Sequence, residues 1–197
     1  MRALIVGAGG FLGAVLAAEL RLRGFVVDAL SSREAGGIAP SSGMLPPGFR
    51  VSPGTQAVFY LAASPRSRSD PDYAEHVFAV NVLSALHVAR AAARANVRRF
   101  LYASTGNVYA PGFGAFREQD PVRRDNWYAL SKVHAEEALA LMRPVMQVTC
   151  ARLFGIYGPR QTARLLPNLV RAVLDSREVT IERRPGSDDD DGGLRIS

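Results

Sequence analysis

Apolar positions along the chain fall into short continuous runs and longer stretches with helical spacing. The continuous runs predict buried strands at residues 2–6, 25–30, 57–63, 98–103 and 145–154. Between them, apolar side chains recur at helical spacing over residues 14–23, 72–96 and 126–142. Strands that alternate with helices form a parallel sheet covered on both faces. The pattern therefore predicts an α/β fold with a doubly wound parallel sheet in residues 1–154.

One connection departs from that pattern. Residues 34–56 are rich in glycine, proline and serine and show no helical period. A doubly wound sheet normally places a helix and a strand at this point. We therefore expect a short or irregular crossover, with at most a vestigial strand at residues 49–51.

Composition narrows the function classes. The chain has 197 residues and a formal net charge of +6, but its arginines are scattered and no basic stripe with interleaved aromatics is present. This argues against nucleic-acid binding and suits an anionic small molecule. No apolar run approaches a membrane span, and Met1 leads directly into the first strand, so a cytoplasmic protein without a membrane partner is expected. The lone Cys150 reads as a buried structural thiol.

A glycine-rich turn follows the first strand. Gly7 would make the tight turn, Gly10 would let the backbone approach a pyrophosphate, and Gly13 would let the helix pack closely on the strand. Phe11 and Leu12 then belong to the first helical turn, whose amides point at the anion. This strand–glycine turn–helix arrangement predicts a Rossmann-type dinucleotide site.

The end of the second strand should select the cofactor. Ser31, Ser32 and Arg33 follow that strand, and small residues with a nearby arginine accommodate the extra phosphate of NADP. The cofactor is therefore predicted as NAD(P), with NADP favoured. In the alternative, Asp28 or Glu34 holds the ribose hydroxyls of NAD.

A tyrosine and a lysine lie one turn apart on the third predicted helix. Tyr128 and Lys132 are four residues apart, so both project from the same face. An ammonium close to a phenol favours phenolate, and the tyrosine could then move the proton of a substrate hydroxyl during hydride transfer. His76 and His87 have no partner at metal-ligand spacing, so they are interpreted as surface or partly packed residues and no metal site is predicted.

Taken together, these motifs resemble the extended short-chain dehydrogenase/reductase superfamily, also described as NAD-dependent epimerase/dehydratases. The resemblance rests on the glycine turn, residues 58–63, Asn81-Val82, residues 102–109, the Tyr128–Lys132 pair and residues 151–159.

The resemblance implies roles for matching residues. Thr105 would hydrogen-bond the reacting oxygen. Tyr128 would be the general acid/base and would also contact the cofactor, and Lys132 would tune Tyr128 and hold the nicotinamide ribose. The backbone of Leu61, Ala62 and Ala63 would line the cofactor. The substrate would be a sugar nucleotide or another hydroxyl or ketone compound. Residues 155–197 would form part of a substrate-binding region, and the two long helices, around 73–95 and 127–142, would pair in a homodimer.

Three departures from the family qualify these expectations. The crossover lacks the usual acidic residue near the adenine. Gly155 stands where many sugar-nucleotide enzymes have asparagine, and Gly106-Asn107 replace the acidic pair of dehydratases, which disfavours dehydration. The acidic run 188–191 reads as a solvated loop rather than a calcium site.

Two functions remain open at this level. In the first, the protein is an NAD(P)-dependent oxidoreductase or epimerase that uses hydride transfer. In the second, it is an NAD(P)-binding regulator or scaffold without turnover.

Overall fold

The computed structural model describes residues 1–34, 36–66, 68–110, 114–159, 161, 165–178, 181–183 and 194–196. Its strands are β1 Arg2–Val6, β2 Val26–Leu30, β3 Thr55–Tyr60, β4 Arg99–Thr105, β5 Gln147–Leu153, β6 Ile181–Arg183 and β7 Leu194–Ile196. Its α-helices are α1 Phe11–Leu22, α2 Tyr73–Phe78, α3 Ala85–Arg94, α4 Trp127–Ala140 and α5 Leu165–Leu174. The predicted acidic loop at 188–191 lies outside the described residues.

Five parallel strands of the described chain form one sheet in the order β2-β1-β3-β4-β5. The strand order reverses between β1 and β3, which is where ligands bind in open α/β sheets. The predicted α/β fold with a doubly wound parallel sheet is therefore confirmed. β4 continues to Thr105, two residues beyond its predicted end, and so carries Ser104 and Thr105 to the carboxyl edge of the sheet.

The crossover between β2 and β3 contains no strand or helix among its described residues. The vestigial strand considered for residues 49–51 is not formed. A turn in which the Phe49 amide donates to the Pro46 carbonyl, at 3.3 Å, precedes this segment, and Gly48 has a φ of +81°. Val51 is buried, so the segment contributes a core side chain without pairing its backbone with the sheet.

The predicted helix over residues 72–96 is divided by one π-helical segment, Ala79–Ser84, between α2 and α3. Two buried tyrosines of the sheet bind its carbonyl groups: the Tyr60 hydroxyl donates to the Val80 oxygen at 2.5 Å, and the Tyr102 hydroxyl donates to the Asn81 oxygen at 2.9 Å. A π-helical turn shifts its hydrogen bonds by one residue. The two phenols thus fasten the irregular part of the helix to β3 and β4.

The same stretch, Tyr73–Arg94, is long and apolar enough to cross a membrane by length and composition. The helix passes on its mean hydropathy, whereas the expectation concerned a continuous apolar run, which Glu75, Asn81 and Arg90 interrupt here. However, 61% of its most apolar window is buried inside the structure, and it packs on the sheet as a core helix.

The chain divides into two compact units. The first contains Met1–Val108 and Val122–Leu153, and the second contains Tyr109–Pro121 and Phe154–Ser197. The division drawn from the sequence had a single boundary, after residue 154, and placed 109–121 with the sheet. In the second unit the rings of Tyr109 and Phe116 stack with centroids 4.9 Å apart, and Tyr109 and Phe154 stack at 6.2 Å. These aromatic contacts explain why 109–121 groups with the later residues.

Candidate functional site

The turn between β1 and α1 needs glycine at two positions for steric reasons. Gly7 has a φ of +94°, and a Cβ on it would lie 2.6 Å from the amide nitrogen of Ala62. A Cβ on Gly13 would collide with the carbonyl oxygen of Gly7. Gly10 is the N-cap of α1 and has no side chain to cap it, so the first amides of that helix, at Phe11, Leu12 and Gly13, keep their capacity to bind an anion.

A cavity of about 280 Å³ opens beside this turn. Five parts of the chain line it: the glycine turn, the end of β2, part of the crossover, the segment after β3, and two residues of the long helix that follows β3. Its lining includes Gly7, Gly9, Gly10, Ser31, Ser32, Arg33, Ile38, Ala39, Pro40, Leu61, Ala62, Ala63, His76 and Val80. Eight of the predicted cofactor residues thus meet in one place. Phe11, Leu12 and Gly13 follow at the start of α1 and are not part of the lining. The predicted cofactor residues Tyr128 and Lys132 also lie outside it.

The two carboxylates considered for an NAD ribose lie elsewhere. Asp28 forms an ion pair with Arg2, at 2.7 Å, and lines a separate cavity under the crossover. Glu34 accepts the amide hydrogen of Ser31 at 2.9 Å and also lines a different cavity. After β2, the residues that line the cavity beside the glycine turn, hereafter the glycine-turn cavity, are therefore Ser31, Ser32 and Arg33.

Lys132 is buried beneath the end of β4. Its Nζ donates a hydrogen bond to the Ala103 oxygen at 2.8 Å and lies 4.7 Å from the ring centroid of Tyr102. The ring centroid of Tyr128 is farther away, at 6.0 Å. Burial lowers the pKa of Lys132 to about 7, although the nearby Glu136 carboxylate opposes this shift. The ammonium expected beside Tyr128 is therefore only partly charged at neutral pH.

Thr105 and Tyr128 reach the same edge of the sheet from different elements. Thr105 is buried at the end of β4, where its Oγ1 accepts the amide hydrogen of Asn107 at 3.2 Å. Tyr128 is half-buried in the first turn of α4. Asn126 is the N-cap of this helix, and its side chain accepts the Ala129 amide at 2.9 Å. With Lys132 bonded to Ala103, the three predicted catalytic residues lie at or near the carboxyl end of β4.

A hydrogen-bonded chain holds this part of α4 against the π-helical segment. The Asn81 amide group donates to Ser131 Oγ at 2.9 Å, and the Ser131 hydroxyl donates to the Tyr128 carbonyl at 2.8 Å. Both side chains are fully buried. The position of Tyr128 is therefore fixed from its backbone side.

Glu136 forms a further buried network that the sequence pattern did not reveal. It lies one turn after Lys132, accepts a short hydrogen bond from the Ser104 hydroxyl, and pairs with Arg152 of β5 at 2.7 Å. The same surroundings, chiefly burial, raise the pKa of the Cys150 thiol to about 11. This keeps the thiol protonated at neutral pH, as a structural cysteine would be.

Replacing Glu136 with Gln is expected to lower the free energy of unfolding by about 2–3 kcal/mol, because it removes a carboxylate charge that pairs with the largely buried Arg152 guanidinium. The side chains of this pair are only 13% and 20% exposed. Glu137→Gln is the matched control, since that neighbour pairs with Arg124 at the surface and should cost less than about 1 kcal/mol. Urea denaturation of both variants measures the difference, and equal losses would contradict the structural importance of the Glu136 pair.

The sequence pattern did not identify His76 as a residue that lines a cavity. It is 4% exposed and lines the glycine-turn cavity, so its interpretation as a surface or partly packed residue is wrong. His87 is partly buried, with its ring edge-on to Phe49 at 6.1 Å. Helical spacing would not have distinguished the two histidines, because His76 precedes the apolar Val80 by one turn and His87 precedes the apolar Ala91 by one turn.

Comparisons with known proteins agree with this geometry. The family model "NAD dependent epimerase/dehydratase family" matches residues 3–185. A UDP-glucose 4-epimerase from Mycolicibacterium smegmatis is 32% identical over 82% of this chain and 58% of that protein. A UDP-N-acetyl-alpha-D-glucosaminuronate decarboxylase from Bacillus cytotoxicus is 28% identical over 91% of the chain and 63% of the relative. The chain thus spans about three fifths of the length of these two relatives.

Among solved structures, the Thermus thermophilus UDP-glucose 4-epimerase in complex with NAD superposes with a TM-score of 0.71. It is 26% identical in sequence, and the match covers 95% of this chain and 68% of that one.

Proposed function

Because the chain belongs to the NAD-dependent epimerase/dehydratase family, we propose that it binds NAD(P) and transfers hydride to or from a sugar nucleotide. One observation carries the proposal. The glycine-turn cavity and the group formed by Thr105, Tyr128 and Lys132 lie at the carboxyl ends of neighbouring strands, β1, β3 and β4. A cofactor and a proton-transferring side chain must meet at one edge of a sheet for this chemistry.

The residues that line the cavity support this cofactor through the glycine turn and through their hydrogen-bonding groups. Gly7, Gly9 and Gly10 line the cavity, so the pyrophosphate would lie against the glycine turn, and the first amides of α1 would bind its oxygens. Ser31, Ser32 and Arg33 would hold the adenosine ribose and its phosphate. Bound there, the nicotinamide would supply or accept the hydride.

Tyr128 would move the substrate proton. Its phenol would accept the proton of a hydroxyl that is being oxidised and return it when the ketone is reduced. Thr105 would hydrogen-bond the same oxygen. Lys132 would favour the phenolate when protonated and would hold the nicotinamide ribose, and its pKa of about 7 lets it exist in both charge states at neutral pH.

The substrate class follows from the relatives, which are named for UDP-sugars. Epimerisation or simple oxidoreduction is favoured over dehydration because Gly106-Asn107 supply no acidic pair after Thr105. We further propose a homodimer through the long helices, since they expose large apolar side chains. Leu83 in the π-helical segment is 52% exposed, and Trp127 in α4 is 53% exposed.

A parallel fluorescence titration with NADPH and NADH tests the cofactor assignment. We expect NADPH to bind more tightly because Arg33 would pair with its extra phosphate. Arg33→Ala should weaken NADPH by about tenfold, as expected for loss of one charge-assisted contact, and should change NADH by less than about twofold. Arg21→Ala, which removes an exposed arginine far from the cavity lining, is the control. A preference for NADH would contradict the NADP assignment and would favour the alternative in which Asp28 or Glu34 holds the ribose hydroxyls of NAD.

A further inference from the structure

His76 joins the crossover to the segment after β3. Its Nε2 lies 3.0 Å from the Pro40 oxygen, and its Nδ1 lies 2.8 Å from Ser64 Oγ. Since a carbonyl oxygen only accepts, Nε2 must carry the proton of the neutral imidazole, and Nδ1 then accepts the Ser64 hydroxyl. The Arg66 amide donates to Ser64 Oγ at 3.2 Å, so the contacts of this serine are also complementary.

The crossover segment that His76 holds, residues 38–45, lies against the helix that follows β3. Ile38 and Leu45 are buried in the core. The Ser84 hydroxyl donates to the Gly43 oxygen at 2.8 Å, and the Gly43 backbone packs against Val80 so closely that a Cβ would lie 2.9 Å from that side chain. One end of the segment is therefore anchored through Ser84 and the other through His76.

This anchoring places residues 38–40 in the wall of the glycine-turn cavity. The same cavity is lined by residues 31–33 and by the glycine turn, which would meet the adenosine ribose and the pyrophosphate. The wall next to them should therefore face the adenine half of the cofactor. Ile38, Ala39 and Pro40 give it an apolar character suited to a flat aromatic base, in a crossover without an acidic residue between positions 36 and 54.

We propose that His76 is a positioning residue for the adenosine half of the cofactor. It acts through Pro40 by holding the crossover as a wall of the cavity, and the inference rests on the NAD(P) site proposed above. Loss of the imidazole removes the contact that ties Pro40 to the helix and leaves the Ser64 hydroxyl without its acceptor. Ala39 keeps its backbone hydrogen bonds to Gly43 and Met44, so the expected change is a shift of the wall at Pro40 rather than an unfolding of the segment. The anchored Gly43 end and the nicotinamide end of the site are unaffected.

Three substitutions at the anchor and one control test this role. His76→Leu removes both hydrogen bonds at similar volume, and His76→Gln keeps an amide donor for the Pro40 carbonyl. Ser64→Ala removes one contact and leaves His76 in place. His87→Leu is the matched control, because it replaces a histidine of the same long helix that contacts Phe49 of the crossover outside the cavity lining.

Calorimetric titrations with ADP and with nicotinamide mononucleotide separate positioning from general destabilisation. We expect His76→Leu to weaken ADP by about tenfold, as unsatisfied buried groups and a displaced wall imply, and Ser64→Ala to weaken it by about threefold. His76→Gln and His87→Leu should stay within about twofold of the wild type. Nicotinamide mononucleotide should bind all variants equally.

Unchanged ADP affinity in His76→Leu would overturn the inference, as would an equal loss for both probes. If His76→Leu does not fold, Ser64→Ala decides in the same way, with unchanged ADP affinity overturning the role. A wild-type protein that does not bind ADP would instead overturn the proposed function and the inference together, so the two failures are distinguishable.

Discussion

Phenylalanine in place of Tyr128 should lower turnover of a UDP-sugar by about 10²- to 10⁴-fold, the range that general acid–base catalysis contributes. The substitution removes one oxygen atom from a half-buried ring. The Tyr128 carbonyl accepts the Ser131 hydroxyl, and Asn126 caps the same helix by accepting the Ala129 amide. The fold and the glycine-turn cavity should therefore persist. Cofactor affinity should change by less than about threefold, because the variant keeps Lys132 and every residue that lines the cavity.

Tyr73→Phe provides the matched control for this change. Tyr73 is also half-buried and begins a helix of the same unit, but it lines a different cavity. Steady-state rates and cofactor titrations of the three proteins are compared at one pH. Equal turnover by the wild type and Tyr128→Phe would exclude Tyr128 as the proton-transferring group. Cofactor binding without turnover by the wild type would favour a regulator or scaffold.

The glycine turn could be predicted from sequence because its requirements are local. Gly7 needs a positive φ, and Gly13 must lie against the Gly7 carbonyl, so both conditions concern residues within one turn of chain. The spacing of Tyr128 and Lys132 is local in the same way. Apolar runs also predicted the sheet, since strands buried on both faces read as continuous hydrophobic segments.

Contacts between distant residues could not be predicted in this way. His76 meets Pro40 across 36 positions, and Lys132 meets the Ala103 carbonyl across 29. The π-helical segment likewise depends on two tyrosines from neighbouring strands rather than on its own sequence. Such contacts leave no periodicity in the chain, so the charge state of Lys132 and the wall formed by the crossover emerged only from the fold.

The buried Lys132 ammonium is expected to destabilise the folded protein near neutral pH. Its pKa falls from 10.5 to about 7 on folding, so the unfolded chain binds one more proton between those values. Stability contributed by this group therefore rises with pH from about 7 to 10.5. Tyr102, Tyr128, Glu136 and Cys150 lie around the amine. Burial raises the pKa values of the Tyr102 hydroxyl and the Cys150 thiol, so these two groups stay protonated below pH 9.

Relative to the wild type, Lys132→Met should consequently gain roughly 2 kcal/mol more stability at pH 7 than at pH 9, as linkage over this pKa difference implies. Urea denaturation at both pH values measures the difference between the free energies of unfolding of the two proteins. Titrations of groups that both proteins share cancel in this difference. The same variant should lose turnover and bind cofactor more weakly, because Lys132 would hold the nicotinamide ribose. A gap that stays constant with pH would contradict the lowered pKa, whereas unaltered cofactor affinity would contradict the contact with the ribose.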